Sequence, residues 1–374
     1  MLRVIIVLVN IVITIVSLKF FPAPFIWISL LWFIFFLLFA LSSTKSSIKL
    51  LFFYISLIPL TFGIYETYMW IVKPELSINY SKGVGFNRDD ILGYAPLKNS
   101  SASHSKHYKN EVIFDVVYTI DSNGLRISPP YNSKNNTGCI LFFGGSFTFG
   151  EGVNDEETMP YVTGIKIHGK YRIYNFGYRG YGPHQMLSAM EKGLVATIIE
   201  CKPKYVIYQT LIPHIARSAG LKKWTRHHPK YILKKNGEII YKGHFDDEKR
   251  PFIIKMISEL KKSLILKRIF DSNFSRNHIN LFIEIVNTSR QMIEARYPGC
   301  EFHVIFWDDK YFKDYKEIFE KLKKKKIRVH LITDILPDFY EKQSEYRISK
   351  YDRHPTPLAH DMIAEFVVRK IIKE

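Results

Sequence analysis

A chain of 374 residues, 47% hydrophobic and 15% aromatic, has material for a membrane segment plus one or two folded units. Its formal net charge is +18, but it has no zinc-finger spacing and no markable helix-turn-helix, so nucleic-acid binding is the class excluded first. Its three cysteines, Cys139, Cys201 and Cys300, lack metal-ligand spacing. Each borders an apolar run, which predicts free buried thiols and no disulfide framework.

The apolar residues concentrate before residue 73, so a mean hydropathy of −0.06 averages an apolar head with a polar body. The head holds three candidate membrane spans, at 4–18, 25–41 and 50–72. The first is short, but no convincing small-residue cleavage site follows it, and it is read as retained. Arg3, Lys45 and Lys49 fall on one side of the spans and Lys19 and Lys73 on the other. That slight bias puts the N-terminus in the cytoplasm and everything after residue 73 across the membrane, in the periplasm of a Gram-negative cell. Glu66 is costly inside a span and so is a functional candidate, yet it falls near the span's end, where interfacial water is the favoured explanation. The head carries net +4, which leaves 48 Lys/Arg against 34 Asp/Glu, net +14, on the body. Such a surface is drawn to anionic lipid headgroups or acidic glycans.

Residues 74–137 read as a small β-rich segment and linker, with an alternating run at 112–120 and a turn at Asp121-Ser122-Asn123-Gly124. Arg126, just after the turn, reads as a surface arginine, with a place in a site as the alternative. From residue 138 onward, strand and helix alternate. Strands are expected at 139–143, 171–175, 205–210, 302–307 and 328–332, and helices at 184–200, 279–296, 311–325 and 358–372. The alternation predicts an α/β fold, a parallel sheet covered on both faces with reactive groups at the carboxyl ends of the strands. The stretch 217–278 interrupts it as a lid or decoration, with a turn at 235–237 and an apolar helix near 252–270. The lysines at 321–326 read as a solvated helix end before a strand.

The first strand ends at Gly144-Gly145-Ser146. The glycines permit a tight turn and leave room beside a hydroxyl, although the same residues fit a plain Gly-Gly turn with an incidental serine. A phosphate loop needs a lysine that is missing, and a nucleophile elbow needs glycine where Thr148 stands. After the second strand comes Asn175-Phe176-Gly177-Tyr178-Arg179-Gly180, a glycine-dense turn whose amides suit an anion. The third strand leads to Gln209-Thr210-Leu211-Ile212-Pro213-His214, and the last loop holds Asp352-Arg353-His354-Pro355. A serine needs a base, an imidazole supplies one near neutrality, and a carboxylate holds the ring in the right tautomer. Neither a carboxylate pair nor a His-x-x-x-His spacing suggests a metal, and no cofactor is implied. His227 and His228, beside lysines, read as surface residues, while Gln185 and Tyr181 read as shaping the second turn and the helix start.

Taken in order over about residues 139–374, these segments resemble the blocks of SGNH/GDSL-type hydrolases, which implies a three-layer α/β/α sandwich. The resemblance implies Ser146 as nucleophile, His354 as base and Asp352 as its orienting partner, with the amides of Ser146 and Gly180 as oxyanion donors. The Asp-x-His spacing is one residue shorter than in the commonest members and is similar to the alginate O-acetyltransferase-like branch. The third block departs from the family: where an asparagine is usual, this chain has Pro213 and His214, so either His214 is the substitute donor, with Gln209 as a lesser one, or His214 is a structural histidine bonded to the neighbouring loop and the site is slow, altered or dead. The function expected is a membrane-anchored esterase, deacetylase or O-acyltransferase acting on a cell-envelope glycan or lipid-linked substrate. The opposed expectation is a non-catalytic glycan-binding or scaffold protein using the same cleft.

Overall fold

Side chains along the apolar strands alternate between two buried faces, and this decides the layering. The structure, a computed structural model, describes residues 2–20, 23–73, 76–80, 85–131, 138–247, 256, 259–272, 274–308, 310, 312 and 315–374. Five strands pair in parallel: β1 (Cys139–Gly144), β2 (Arg172–Asn175), β3 (Pro203–Leu211), β4 (Glu301–Trp307) and β5 (Arg328–Leu331). Their spatial order is β2-β1-β3-β4-β5. Leu141, Phe143, Val206, Tyr208, Val304 and Phe306 point to one face, where they meet Met186 and Ala189 of helix Pro183–Glu191 and Phe282 and Val286 of helix Arg276–Arg296. Ile140, Phe142, Ile207 and Ile305 point to the other, against Met159 and, from helix Pro357–Phe366, Ile363. A sheet buried on both sides reads as continuous apolar runs, which is why all five strands were expected within a few residues of their places.

This strand order reverses direction between β1 and β3, because β2 lies on one side of β1 while β3, β4 and β5 follow on the other. In such sheets the crevice at the carboxyl ends of the two switch strands is where a ligand site forms. Here those ends meet at the Gly144–Gln209 pair.

The helix expected at 184–200 is two helices, Pro183–Glu191 and Leu194–Ile198, because Gly193 takes a left-handed φ of 79° between them. The alternating run is the strand Glu111–Ile120, the third strand of an antiparallel sheet with Leu76–Tyr80 and Ser100–Tyr108. Its inward residues Phe114, Val116, Tyr118 and Ile120 pack on Phe149, Tyr178 and Tyr181. The small sheet therefore lies directly on the loops that follow β1 and β2.

Two sequence expectations are corrected in this region. Cys139 and Cys201 form a disulfide with Cα atoms 5.9 Å apart, while Cys300 is free and buried. The pairing of β1 with β3 sets Cys139 opposite Pro203, an adjacency that 62 residues of separation conceal. Arg126 is no surface arginine, being 1% exposed. Its backbone bridges Ile120 to Asn175 and so ties the small sheet to the parallel one.

By its internal contacts the chain divides into two compact units: Met1–Pro74 with Lys249–Asn273, and Glu75–Glu248 with Phe274–Glu374. The stretch expected as one decoration is split between them. Its hairpin, Pro229–Leu233 with Ile239–His244, lies in the second unit, whereas the helix Leu264–Ser272 lies in the first. Other parts of the apolar helix expected near 252–270 fall outside the described residues.

The first unit contains helices Leu2–Phe20, Pro24–Leu41 and Ser46–Ile71. Two of them, Pro24–Leu41 and Ser46–Ile71, are long and apolar enough to cross a membrane; the apolar stretch of the first, Val9–Leu18, is shorter. Glu66 does not reach interfacial water. It is 1% exposed and accepts hydrogen bonds from Ser263 Oγ at 2.9 Å and from the backbone N–H groups of Leu264 at 2.6 Å and Ile265 at 3.3 Å. Those amides belong to the first turn of helix Leu264–Ser272 and have no intrahelical partner, so the carboxylate caps them and meets the positive end of the helix dipole.

Candidate active site

Ser146 begins a single helical turn, Ser146–Phe149, that closes at Gly150 in the left-handed region with φ 83°. A side chain at Gly144 would strike Thr148 and the Gln209 carbonyl, and one at Gly145 would lie 2.6 Å from Arg217 Nη1 and 3.0 Å from His214 Nε2. Only glycines let the chain turn this closely beside β3. Beneath the turn, Asn175 Nδ2 donates to the Thr148 carbonyl at 3.1 Å, and the Thr148 hydroxyl donates to Gln209 Oε1 at 2.9 Å.

Asp352 and His354 lie on the short strand Asp352–Pro355, which pairs with Arg347–Ser349. Residues two apart on an extended strand project to the same side, so an Asp-x-His spacing presents both groups to one partner. Thr356 then caps helix Pro357–Phe366 by accepting from the Ala359 amide at 3.2 Å.

The three side chains expected to work together form a continuous hydrogen-bonded row. His354 Nε2 is 2.9 Å from Ser146 Oγ, and His354 Nδ1 is 2.5 Å from Asp352 Oδ1. Asp352 Oδ1 also accepts from the His354 amide at 2.9 Å. The Phe147 ring, 5.2 Å from the imidazole, packs against it and is itself backed by Trp307. With Nδ1–H donating to the carboxylate, Nε2 is the acceptor that a serine hydroxyl needs.

Two further charges bear on this row, and sequence reasoning named neither. Lys106, from the small antiparallel sheet, donates to Asp352 Oδ2 at 2.7 Å, and Tyr108 of the same strand stacks on Tyr351 at 3.9 Å. Glu151 Oε2 lies 3.4 Å from His354 Nε2. Burial alone pushes Asp352 toward its neutral form, but His354 and Lys106 outweigh it and hold the carboxyl well below the usual carboxylate range. Burial also disfavours the imidazolium of His354; Glu151 and Asp352 reverse that and raise it above the ordinary histidine value. Glu151 carried one sequence signal, a lone carboxylate between Gly150 and Gly152 five residues after the serine.

Arg126 fixes that carboxylate's loop. Its guanidinium donates to Asp155 Oδ1 at 2.8 Å and to the carbonyls of Phe149 at 2.7 Å, Gly150 at 2.5 Å and Val153 at 2.7 Å. Tyr118 adds a fifth tether by accepting from the Gly152 amide at 2.9 Å.

The second and third segments supply the other wall. Gly180 has φ +81°, and a side chain there would strike Tyr94 Oη and the Trp224 ring. Gln185 Oε1 accepts from the Gly182 amide at 2.9 Å and Tyr181 donates to the Tyr94 carbonyl at 2.6 Å, so both shape the turn as expected. His214 is wholly enclosed behind Gly145. Its Nδ1 meets the Tyr208 hydroxyl at 2.7 Å and Thr210 Oγ1 at 3.1 Å, while Nε2 has no exposed surface and no partner among the described residues. Burial drives this imidazole strongly toward the neutral form. Gln209 spends its oxygen on Thr148. Arg217, one helical turn beyond His214, donates to the Tyr181 carbonyl at 2.6 Å.

His228 is also buried, against the surface placement expected of it, with Nδ1 2.8 Å from His184 Nε2. His227 pairs with Asp246 at 2.6 Å. A cavity of about 90 Å³ is lined by Phe143, Gly144, Phe176, Gly177, Tyr181 and Met186 among others, but Ser146, Asp352 and His354 do not line it.

No protein-family model matches the chain, and no curated protein matches it. Among solved structures it is similar to a protein described as lipolytic, of the G-D-S-L family, from Desulfitobacterium hafniense DCB-2. Identity is 15%, over 62% of this chain and 99% of that one, with a TM-score of 0.38. It is also similar to a variant of the acetyl xylan esterase Axe2 from Geobacillus stearothermophilus, at 13% identity over 64% of this chain and 96% of that one, TM-score 0.37. A third is the acetyl xylan esterase Est2A from the rumen bacterium Butyrivibrio proteoclasticus, at 11% identity over 72% and 69%, TM-score 0.36.

Proposed function

We propose that the chain is a serine-dependent esterase or O-acyltransferase of the SGNH type. The observation that carries this reading is the unbroken row from Ser146 Oγ through the His354 ring to Asp352, at 2.9 and 2.5 Å. Ser146 Oγ attacks an ester carbonyl while its proton passes to His354 Nε2, and the amides of Ser146 and Gly180 hold the oxyanion. Collapse of that intermediate breaks the ester bond; the departing alkoxide takes the proton from His354, leaving an acyl-serine. A water or a second hydroxyl then gives its proton to His354, attacks the acyl carbon and restores Ser146. Water makes the protein an esterase or deacetylase, and a sugar hydroxyl makes it an O-acyltransferase. In this reading His214, enclosed behind Gly145, supports the turn rather than touching the oxyanion.

The site is proposed to work outside the cytoplasm on a cell-envelope glycan or lipid-linked ester. Two apolar helices long enough to span a bilayer support a tether, the Cys139–Cys201 disulfide suits an oxidising compartment, and the basic body suits an anionic envelope surface.

The test is labelling of the full chain in membranes by a fluorophosphonate probe. Wild type is expected to label and Ser146→Ala to remain unlabelled, and absence of labelling on folded wild type sinks the proposal. A specific observation favours one alternative, a glycan-binding or scaffold role: the third segment brings no exposed side-chain amide to the turn. Folded, unlabelled protein that binds acylated glycan is the outcome that reading requires. A reporter fused after Glu374 that works only in the cytoplasm contradicts the orientation.

A further inference from the structure

His354 is flanked by carboxylates on both ring nitrogens, and only one belongs to the row just described. Asp352 meets Nδ1 at 2.5 Å, while Glu151 approaches Nε2 at 3.4 Å, on the edge that exchanges a proton with Ser146. Resting on the serine-hydrolase reading, we propose that Glu151 is a positioning residue that holds the protonated imidazole on its reactive edge and sets the pH at which Ser146 becomes a nucleophile.

The local chain leaves this carboxylate little choice of place. The Glu151 amide donates to the Ser146 carbonyl at 2.9 Å, so its backbone is bonded to the residue it serves. Gly150 and Gly152 flank it with φ of 83° and 87°. A side chain at Gly150 would strike Thr158, and one at Gly152 would strike Ile348. Arg126 and Tyr118 tie the carbonyls and amide on either side. Such an investment of buried donors fixes where one partly exposed side chain stands, and what it faces is Nε2.

The other charged and titratable groups around His354 do not duplicate it. Lys106, on the small sheet and bonded to Asp352, acts on the ring in the opposite sense by its positive charge. His104, also on that sheet, is held down to about 4 chiefly by burial, and His360, in the helix after the site, to about 3 for the same reason, so both are neutral near pH 7. Arg217, in the third segment, interacts with Glu151 at longer range. When His354 takes the serine proton, the imidazolium stands between two carboxylates, which stabilises it. The same interaction keeps the resting imidazole protonated to a higher pH, where it cannot accept the proton. Glu151 therefore trades activity at acid pH for a stronger base once the ring is neutral.

The experiment uses the full chain in membranes and reads the second-order rate of fluorophosphonate labelling of Ser146 against pH. In wild type the acid limb is expected above the ordinary imidazole value of about 6.5. In Glu151→Gln, which keeps size and polarity, the limb is expected to fall by about one pH unit, while Glu151→Asp leaves it near wild type. A wild-type limb at or below about 6.5 overturns the inference without any variant, and so does a Glu151→Gln limb that coincides with wild type. Both outcomes leave the proposed function standing, since labelling persists. Folded wild type that never labels overturns the function and this inference together.

Discussion

The two walls that meet at Ser146 are built in opposite ways. On the side of residues 149–153 the donors that hold the loop have acceptors: Arg126 spans three of its carbonyls and Asp155, and Tyr118 receives the Gly152 amide. On the side of β3 and the second turn, His184 Nδ1, Gln209 Nε2, His214 Nε2 and His228 Nε2 are buried without partners among the described residues. A satisfied network in a low dielectric is rigid, whereas a half-satisfied one carries desolvation costs and has less to lose by rearranging. Ser146 and His354, proposed to exchange the proton, and Glu151, proposed to position the ring, sit on the rigid wall. The looser wall backs the turn where an oxyanion would lie.

The largest effect that tests this division is on the row itself. Ser146→Ala or His354→Ala is expected to lower esterase turnover on the order of 10⁴-fold or more, because neither wall can supply a second nucleophile or base. Steady-state rates on an activated aryl acetate check it. A loss of tenfold or less places the chemistry elsewhere in the molecule.

Breaking the rigid wall comes next. Arg126→Ala strips a donor from the carbonyls of Phe149, Gly150 and Val153 and leaves Asp155 without its ion pair, at an expected cost of about 3–5 kcal/mol in the stability of the unit formed by Glu75–Glu248 and Phe274–Glu374. Arg126→Lys keeps the charge but cannot fork to four acceptors, and should recover only part of it. Denaturant unfolding followed by tryptophan fluorescence measures both. Equal stability of Arg126→Ala and wild type would remove the contrast between the walls.

The Lys106–Asp352 pair is a smaller and pH-dependent test. Asp352 is ionised in the fold well below its ordinary value, so the stability it contributes is fully present above its unfolded value of about 3.9 and disappears as pH falls through the folded one. Lys106→Met removes one of the groups that hold the carboxyl down. The folded value then rises, neutral-pH stability drops by about 3 kcal/mol, and the midpoint of acid unfolding moves to higher pH. An unchanged acid midpoint would show that His354 alone accounts for the depression.

Which of these features a reader of the sequence can see follows from how local their causes are. The five parallel strands are legible because burial on both faces leaves unbroken apolar runs, whereas Asp352 and His354 are legible only through the resemblance of their block, since the strand that carries them reads as a loop in the sequence. Lys106 and Glu66 are not, since the first acts on a carboxylate 246 positions away and the second caps a helix 198 positions away. Arg126 looked exposed because a turn precedes it, but its guanidinium finds acceptors only once the serine loop closes around it. Cys139 and Cys201 became neighbours through strand order, which no spacing rule encodes.

The finest discrimination lies on the looser wall, at His214. If its ring only supports Gly145 from behind, His214→Ala opens a small cavity and leaves both amide donors in place, so turnover should fall by about tenfold or less, with stability lowered by about 1–3 kcal/mol. If instead the turn shifts during reaction and exposes Nε2 to the oxyanion, the loss should approach the hundredfold or more that follows removal of such a donor. Its neutral state favours neither outcome, because a neutral imidazole whose Nδ1 accepts from the Tyr208 hydroxyl still carries a proton on Nε2. Tyr208→Phe separates them. It removes the nearer of the two hydroxyls at Nδ1, Thr210 being the other, while leaving the turn's packing nearly intact, so a supporting His214 barely registers the change, and a donating one loses part of its effect.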